Sequence, residues 1–324
     1  MARYRLVIPF LISLMMLPTF VAAANGWQSW VANVRTEALD QGIRAEVFDA
    51  AFRDINEPSK QIKSLAKSQP EHRLSYYKYR DSRVDAYRIS IGRKKYQQYH
   101  TLLEAIGKQY AVDPCFIMAF WGLETSYGSY TGNFPVVKSL ATLAYESNRP
   151  EFFRRELFIA LHILNDGHVT LAHFKGEWAG ASGHPQFLPS SWVDYAVDYD
   201  GDGHKDIWDS IPDALASIAN YMKKNGWQAN QIWAITVKLP AHFDTSLMGK
   251  NVSKPVREWQ ALGVRTEQGN ALPQQDLTAS IIQPNGGPVF LAYPNYKMIL
   301  RYNNSIYYAG AIGYLADKIC LRTV

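Results

Sequence analysis

Residues 114–124 read Pro-Cys-Phe-Ile-Met-Ala-Phe-Trp-Gly-Leu-Glu, and this run constrains the fold more than any other stretch of the chain. Asp113 offers a cap and Pro114 a pre-set φ at the first helical position, so a helix starts here. Its side chains are apolar on every face, and such a helix persists only where other elements cover all of it. The rest of the chain must therefore wrap around it. With 324 residues, 47% of them hydrophobic, there is enough material for one large unit or two smaller ones. No repeat of fixed period is present, which removes solenoid architectures.

The helix closes on Glu124. Burial disfavours the ionised carboxylate and the negative end of the helix dipole adds to that, so both push its pKa upward. An acid that keeps its proton near neutral pH can protonate a leaving oxygen, as in cleavage of a glycosidic bond. A buried glutamate satisfied by a backbone amide or an arginine has the same sequence pattern without any chemistry.

Around this centre the pattern is mostly helical. Trp30, Val31, Val34 and Ala38, then Ile43 to Ile55 and Val84 to Ile106, make a helical N-terminal region over about 25–110. Further helices are expected at Pro150–Leu164, at Pro212–Asn225 stopped by Gly226, at Lys254–Leu262 stopped by Gly263, and at Ile306–Ile319. Leu277–Gln283 and Val289–Ala292 flank Pro284-Asn285-Gly286-Gly287, a hairpin signal, and Lys297–Tyr302 is read as a third strand. The class is α+β, mainly α, with a core over about 111–235 and a C-terminal hairpin and closing helix over about 236–324.

Residues 1–23 carry Arg3 and Arg5, an apolar run from Leu6 to Val21 broken by Pro9 and Pro18, and small residues at the end. That is the pattern of a cleaved export signal rather than a membrane anchor, and without a cysteine at the junction the expected product is soluble and not a lipoprotein. The formal net charge of +5 is scattered, so no nucleic-acid partner is expected. Cys115 and Cys320 both remain after cleavage; an oxidising compartment allows a disulfide between them, and two buried thiols are the other reading.

Asp198-Tyr199-Asp200-Gly201-Asp202-Gly203-His204, continuing to Asp209, fits D-x-D-x-D-G-x-x-x-x-x-D. Carboxylates at positions 1, 3, 5 and 12, a glycine for the sharp turn and the His204 carbonyl at position 7 make a hard-oxygen cage suited to Ca²⁺. Asp209 is shorter than the usual glutamate at its position. A structural calcium ion is therefore expected over 198–209, and no organic cofactor.

Trp121-Gly122-Leu123-Glu124-Thr125-Ser126-Tyr127-Gly128 followed by Ser139-Leu140-Ala141-Thr142-Leu143 resembles the catalytic signature of the MltB-type lytic murein transglycosylases. Ala179 to Ser191, Ile218-Ala219-Asn220-Tyr221 with Gly226-Trp227, and Arg301-Tyr302-Asn303-Asn304-Ser305 resemble three further motifs of that family in the same order. The resemblance implies a lysozyme-like catalytic core that cleaves the β-1,4 bond between N-acetylmuramic acid and N-acetylglucosamine in peptidoglycan. The product carries a 1,6-anhydromuramoyl end, and the place of work is the periplasm of a Gram-negative bacterium. It makes Glu124 the single acid and base, lines the glycan cleft with Gln186, Tyr221, Tyr302, Asn303 and Tyr308 supported by Phe187, and turns Arg149 toward a carboxylate of the substrate. Flat aromatic faces and amide groups suit sugar rings, which is consistent with those roles. A hydrolytic muramidase on the same bond and a catalytically silent peptidoglycan-binding scaffold are the alternatives. Glu177 stands where related enzymes place a serine: it either points outward to pair with Lys175, or supplies a second carboxylate that activates water.

Overall fold

The computed structural model describes residues 21–67, 74–273 and 276–322. The export-signal expectation thus lies outside the described residues, apart from Val21–Ala23 at the head of the first helix. Six helices come first: α1 (Val21–Asp40), α2 (Ala45–Phe52), α3 (Lys60–Lys67), α4 (Tyr76–Arg83), α5 (Ala86–Gln98) and α6 (His100–Tyr110). The apolar run forms α7 (Pro114–Thr125). Then follow β1 (Phe134–Pro135), α8 (Val136–Glu146), α9 (Pro150–Asn165), β2 (Lys175–Gly176), α10 (Pro189–Tyr195) and α11 (Ile211–Lys224). The last part holds β3 (Ala234–Lys238), β4 (Lys254–Pro255), α12 (Val256–Ala261), β5 (Arg265–Thr266), β6 (Thr278–Ile282), β7 (Phe290–Ala292), α13 (Pro294–Tyr302) and α14 (Ile306–Ile319).

The local chemistry explains the main boundaries. Asp113 accepts the Cys115 N–H at 3.0 Å with Pro114 next to it, and Ser126 in the left-handed region ends α7. Ser210 caps α11 and Ser305 caps α14, each accepting an amide three residues on. From Cys115 to Gly122 every residue of α7 is buried. Helices α5, α6, α11 and α14 pack around it, so the helix is enclosed as its composition requires.

The helices expected at 150–164, 212–225 and 306–319 are present within one or two residues, and the hairpin joins β6 to β7 with Ser280 opposite Ala292 and Ile282 opposite Phe290. The hairpin belongs to a larger antiparallel sheet of five strands in the order β4-β6-β7-β3-β5. It covers a second hydrophobic cluster, in which Trp259, Val264, Ile281 and Leu291 are fully buried. Two expectations are corrected. Lys297–Tyr302 is not a strand but the second half of α13: Pro294 at the first position favours helix, and Tyr296, Ile299 and Leu300 bury one helical face. The helix expected from Lys254 starts at Val256, because Pro255 biases its predecessor toward extended backbone and Lys254 pairs with Ala279. Of the two readings of the cysteines, the disulfide is the one found: Cys115 and Cys320 are bonded, with 6.1 Å between their Cα atoms.

Candidate active site

The C-terminal turn of α7 delivers Glu124 to a wall of aromatic rings. Three residues after it, Ser126, Tyr127 and Gly128, all have positive φ (50°, 60° and 81°), which turns the chain away sharply. Gly122 makes room for this turn, since a Cβ there would lie 2.6 Å from the Tyr127 ring. The turn is pinned from below. Thr125 Oγ1 accepts the Gly128 N–H at 3.1 Å, Trp121 Nε1 donates to His184 Nδ1 at 2.9 Å, and the His184 ring fills the space where a Gly128 side chain would go, 2.2 Å from its Cβ position. Gly128→Ala is therefore expected to cost about 2–3 kcal/mol of stability through backbone strain and overpacking, read as a fall in melting temperature, and to lower turnover.

Glu124 retains some surface, yet the protein mass around it desolvates the carboxyl and pushes its pKa up to about 7. Two weaker influences oppose burial: the Tyr308 hydroxyl, which donates to Glu124 Oε1, and the charge of Arg83. No second carboxylate is among the groups that act on it in the described residues. Glu177 is half-buried and, among the described residues, makes no ion pair with Lys175. The expected pairing with Lys175 is thereby corrected: Lys175 lies exposed in β2 and Glu177 is half-buried just after it.

The aromatic residues named from sequence come together. Tyr302 stacks parallel to Tyr308 with 6.5 Å between ring centres, touches Phe120 and Tyr221 at 4.6 Å each, and donates its hydroxyl to the Pro185 carbonyl. Phe187 packs behind Tyr221 and Tyr302 at 5.9 and 6.1 Å. Burial first, then the charge of Glu124, holds the Tyr302 and Tyr308 hydroxyls well above the usual tyrosine range, so both remain proton donors. Gln186 sits at φ 52°, its Nε2 donating to the carbonyls of Thr131 and Gly183 at 2.9 and 3.0 Å, with Oε1 buried and unpartnered in the protein. Asn303 follows α13 directly and is exposed. Arg149 is exposed at the start of α9, its guanidinium 4.0 Å over the Phe152 ring and outside this group of contacts. Sequence reading missed Arg83 and His184; Arg83 lies in a basic helix with no motif, while His184 stood inside a quoted motif without an assigned role. A cavity of about 670 Å³ surrounds Asp113, Trp227 and Arg322 at the far end of α7 and includes none of the expected site residues.

Carboxylate oxygens of Asp198, Asp200 and Asp202 lie within 4.8 Å of one another. Backbone amides shape the loop: Gly201 and Gly203 donate to Asp198 at 2.7 and 2.9 Å, and His204 donates to Asp202 at 2.8 Å. Asp209 stands apart, its carboxylate 2.5 Å from His173 Nδ1. Beneath the loop, fully buried Asp213 accepts the N–H groups of Tyr199, Asp200 and Asp206 at 2.8, 3.3 and 2.8 Å. From the loop, the Ile207 carbonyl accepts the His184 N–H at 2.9 Å and Trp208 Nε1 donates to Ser182 at 3.2 Å, which ties it to the Gln186 segment.

Residues 26–317 match the Transglycosylase SLT domain. The chain belongs to the SLT transglycosylase family. Within it, the chain is 31% identical over 256 residues to the membrane-bound lytic murein transglycosylase B of Escherichia coli, covering 77% of this chain and 69% of that protein. SltB3 of Pseudomonas aeruginosa, solved in complex with NAG-anhNAM-pentapeptide, superposes with a TM-score of 0.87 at 44% identity, over 91% of this chain and 79% of that one. The Escherichia coli lytic transglycosylase Slt35, solved in complex with calcium, superposes with a TM-score of 0.78 at 26% identity, over 93% of each chain. The lysozyme-like, mainly helical class expected from sequence is the class of these neighbours. Family membership makes the chain a lytic transglycosylase, and no helix among the described residues is long and apolar enough to cross a membrane.

Proposed function

We propose that this family member cleaves the β-1,4 bond between N-acetylmuramic acid and N-acetylglucosamine in peptidoglycan, and that Glu124 alone carries out both proton transfers. The observation that carries the reading is a desolvated carboxyl held by Tyr308 beside a wall of tyrosines, with no second carboxylate among the charges that shift it in the described residues. Protonated Glu124 donates to the glycosidic oxygen as the bond to the muramoyl C1 breaks, and the N-acetylglucosamine side departs as an alcohol. The resulting carboxylate, stabilised by the Tyr308 hydroxyl, then takes the proton of the muramoyl C6 hydroxyl as O6 closes on C1. Glu124 ends protonated, the muramoyl residue ends as a 1,6-anhydro sugar, and no water is consumed. Two-carboxylate glycosidases use a second carboxylate as base or nucleophile, and among the described residues none is among the charges that shift Glu124, which favours ring closure over the muramidase reading. A silent scaffold has no use for an acid poised in this way.

Tyr221 and Tyr302, backed by Phe187, offer ring faces to the sugar, and Gln186 and Asn303 offer amides. Arg149, exposed and apart, is suited to a peptide carboxylate at the edge of the cleft. Because the acid must start protonated, turnover is expected to fall as pH rises through about 7. A pH–rate profile on purified peptidoglycan checks this; activity that stays flat from pH 6 to 9 would count against Glu124 as the acid.

The hard-oxygen donors fit a calcium ion on Asp198, Asp200 and Asp202 with the His204 carbonyl, and the charge of the ion would relieve repulsion among the three carboxylates. Its role would be a brace for the Gln186 segment. Occupancy at about 100 times the dissociation constant stabilises the fold by about 2.7 kcal/mol, so chelation should lower the melting temperature and calcium restore it. An equal melting temperature in calcium and chelator would remove the ion. Residues 1–23 and the peptidoglycan substrate support a soluble enzyme of the periplasm.

A further inference from the structure

The helix that carries the acid and the helix that carries its hydrogen-bond partner are fastened to each other at both ends. At the catalytic end Tyr308, in the first turn of α14, donates to Glu124 in the last turn of α7. At the other end Cys115, in the first turn of α7, is bonded to Cys320, the residue that closes α14. The two helices therefore run antiparallel, with about 14 Å of α7 and about 18 Å of α14 between the fastenings at 1.5 Å per residue. A second tie sits beside the disulfide: Arg322 Nη1 is 2.6 Å from Asp113 Oδ2, and its Nη2 is 3.4 Å from Cys115 Sγ. Helices are stiff along their axes, whereas a hydrogen bond weakens within an ångström of displacement. A slip of α14 along α7 would thus be felt first at the Tyr308 hydroxyl.

We propose that the Cys115–Cys320 disulfide is a positioning device for catalysis, setting the axial register of α14 against α7 and so holding the Tyr308 hydroxyl on Glu124. The inference rests on the reading of Glu124 as the acid. Both cysteines are positioning residues, since they act through Tyr308 and touch no substrate.

The test compares the Cys115→Ser/Cys320→Ser pair with Tyr308→Phe and with all three changes together, at a temperature where circular dichroism shows each protein folded. In the cysteine pair kcat should fall on the order of tenfold with KM within about twofold, because a small misplacement of a reacting group costs rate more than binding. The alkaline limb of its pH–rate profile should move upward, since the Tyr308 hydrogen bond lowers the pKa of Glu124. Tyr308→Phe should move the limb the same way, and the triple variant no further, because both changes act through one bond. If the serine pair does not fold, folded wild type is reduced with dithiothreitol, which passes two electrons and two protons to the disulfide and leaves two thiols, and the same profile is recorded. Unchanged kcat and limb in the folded protein lacking the disulfide, or additive limb shifts in the triple variant, would overturn the inference. Glu124→Gln keeps the two failures apart: retained turnover there removes the acid, whereas a dead Glu124→Gln with an unaffected cysteine pair removes only the positioning role.

Discussion

Glu124→Gln is expected to lower cleavage of peptidoglycan by at least about 10³-fold while the protein stays folded. One positioned acid or base contributes about 10²–10⁴-fold, and here a single group serves in both steps. Glutamine keeps the shape and can still accept from Tyr308, so glycan binding should persist. The variant should also carry a stability signature. The carboxyl binds its proton more tightly in the folded state, at about 7 against 4.5 for the free side chain. Its contribution to stability is therefore complete below pH 4.5 and is lost as pH rises to about 7. Each unit in that window costs wild type about 1.4 kcal/mol, at most about 3 in all, and the glutamine variant should lack the slope. Denaturant titrations at pH 5 and pH 8 measure it; parallel pH dependence in both proteins would mean that Glu124 is not desolvated.

Asp213→Ala should destabilise the fold by about 3–5 kcal/mol, more than any change at the three loop carboxylates. Its two oxygens accept three backbone N–H groups from Tyr199, Asp200 and Asp206, and the side chain is fully buried. Alanine would leave those donors without partners, at about 1–3 kcal/mol for each that stays dry. The loop they shape should then lose its hold on Asp198, Asp200 and Asp202, so the variant's melting temperature should no longer respond to calcium. A melting temperature within 2 °C of wild type, roughly what 1–1.5 kcal/mol produces in a chain of this size, would show that these bonds are replaced by water.

The parts of the fold legible in sequence were those with one dominant local cause. The apolar α7, the capped α14 and the hairpin around Asn285-Gly286 each announce themselves within a dozen residues. Residues 297–302 were misread because a short apolar run suits either period, and the deciding Pro294 lies before it. Strands β4 and β5 are two residues each and exist only because β6 and β3 offer edges, a long-range cause that no local pattern records. The acid and its tyrosines were legible because their motifs are contiguous. Asp213 reads as an ordinary residue in the first turn of α11, and its reach into the loop is tertiary. Arg83 acts on Glu124 from a helix 41 positions earlier in the chain, and Arg149, named from its motif, stands outside the aromatic group.

The central claim is that one buried carboxyl both breaks the glycosidic bond and closes the sugar on itself. Mass spectrometry of the muropeptides that the purified protein releases from peptidoglycan, with Glu124→Gln as control, tests it most directly. The account predicts 1,6-anhydromuramoyl ends, one water lighter than reducing ends, that disappear in the control. Reducing ends as the main product would contradict it and make water, rather than the C6 hydroxyl, the nucleophile.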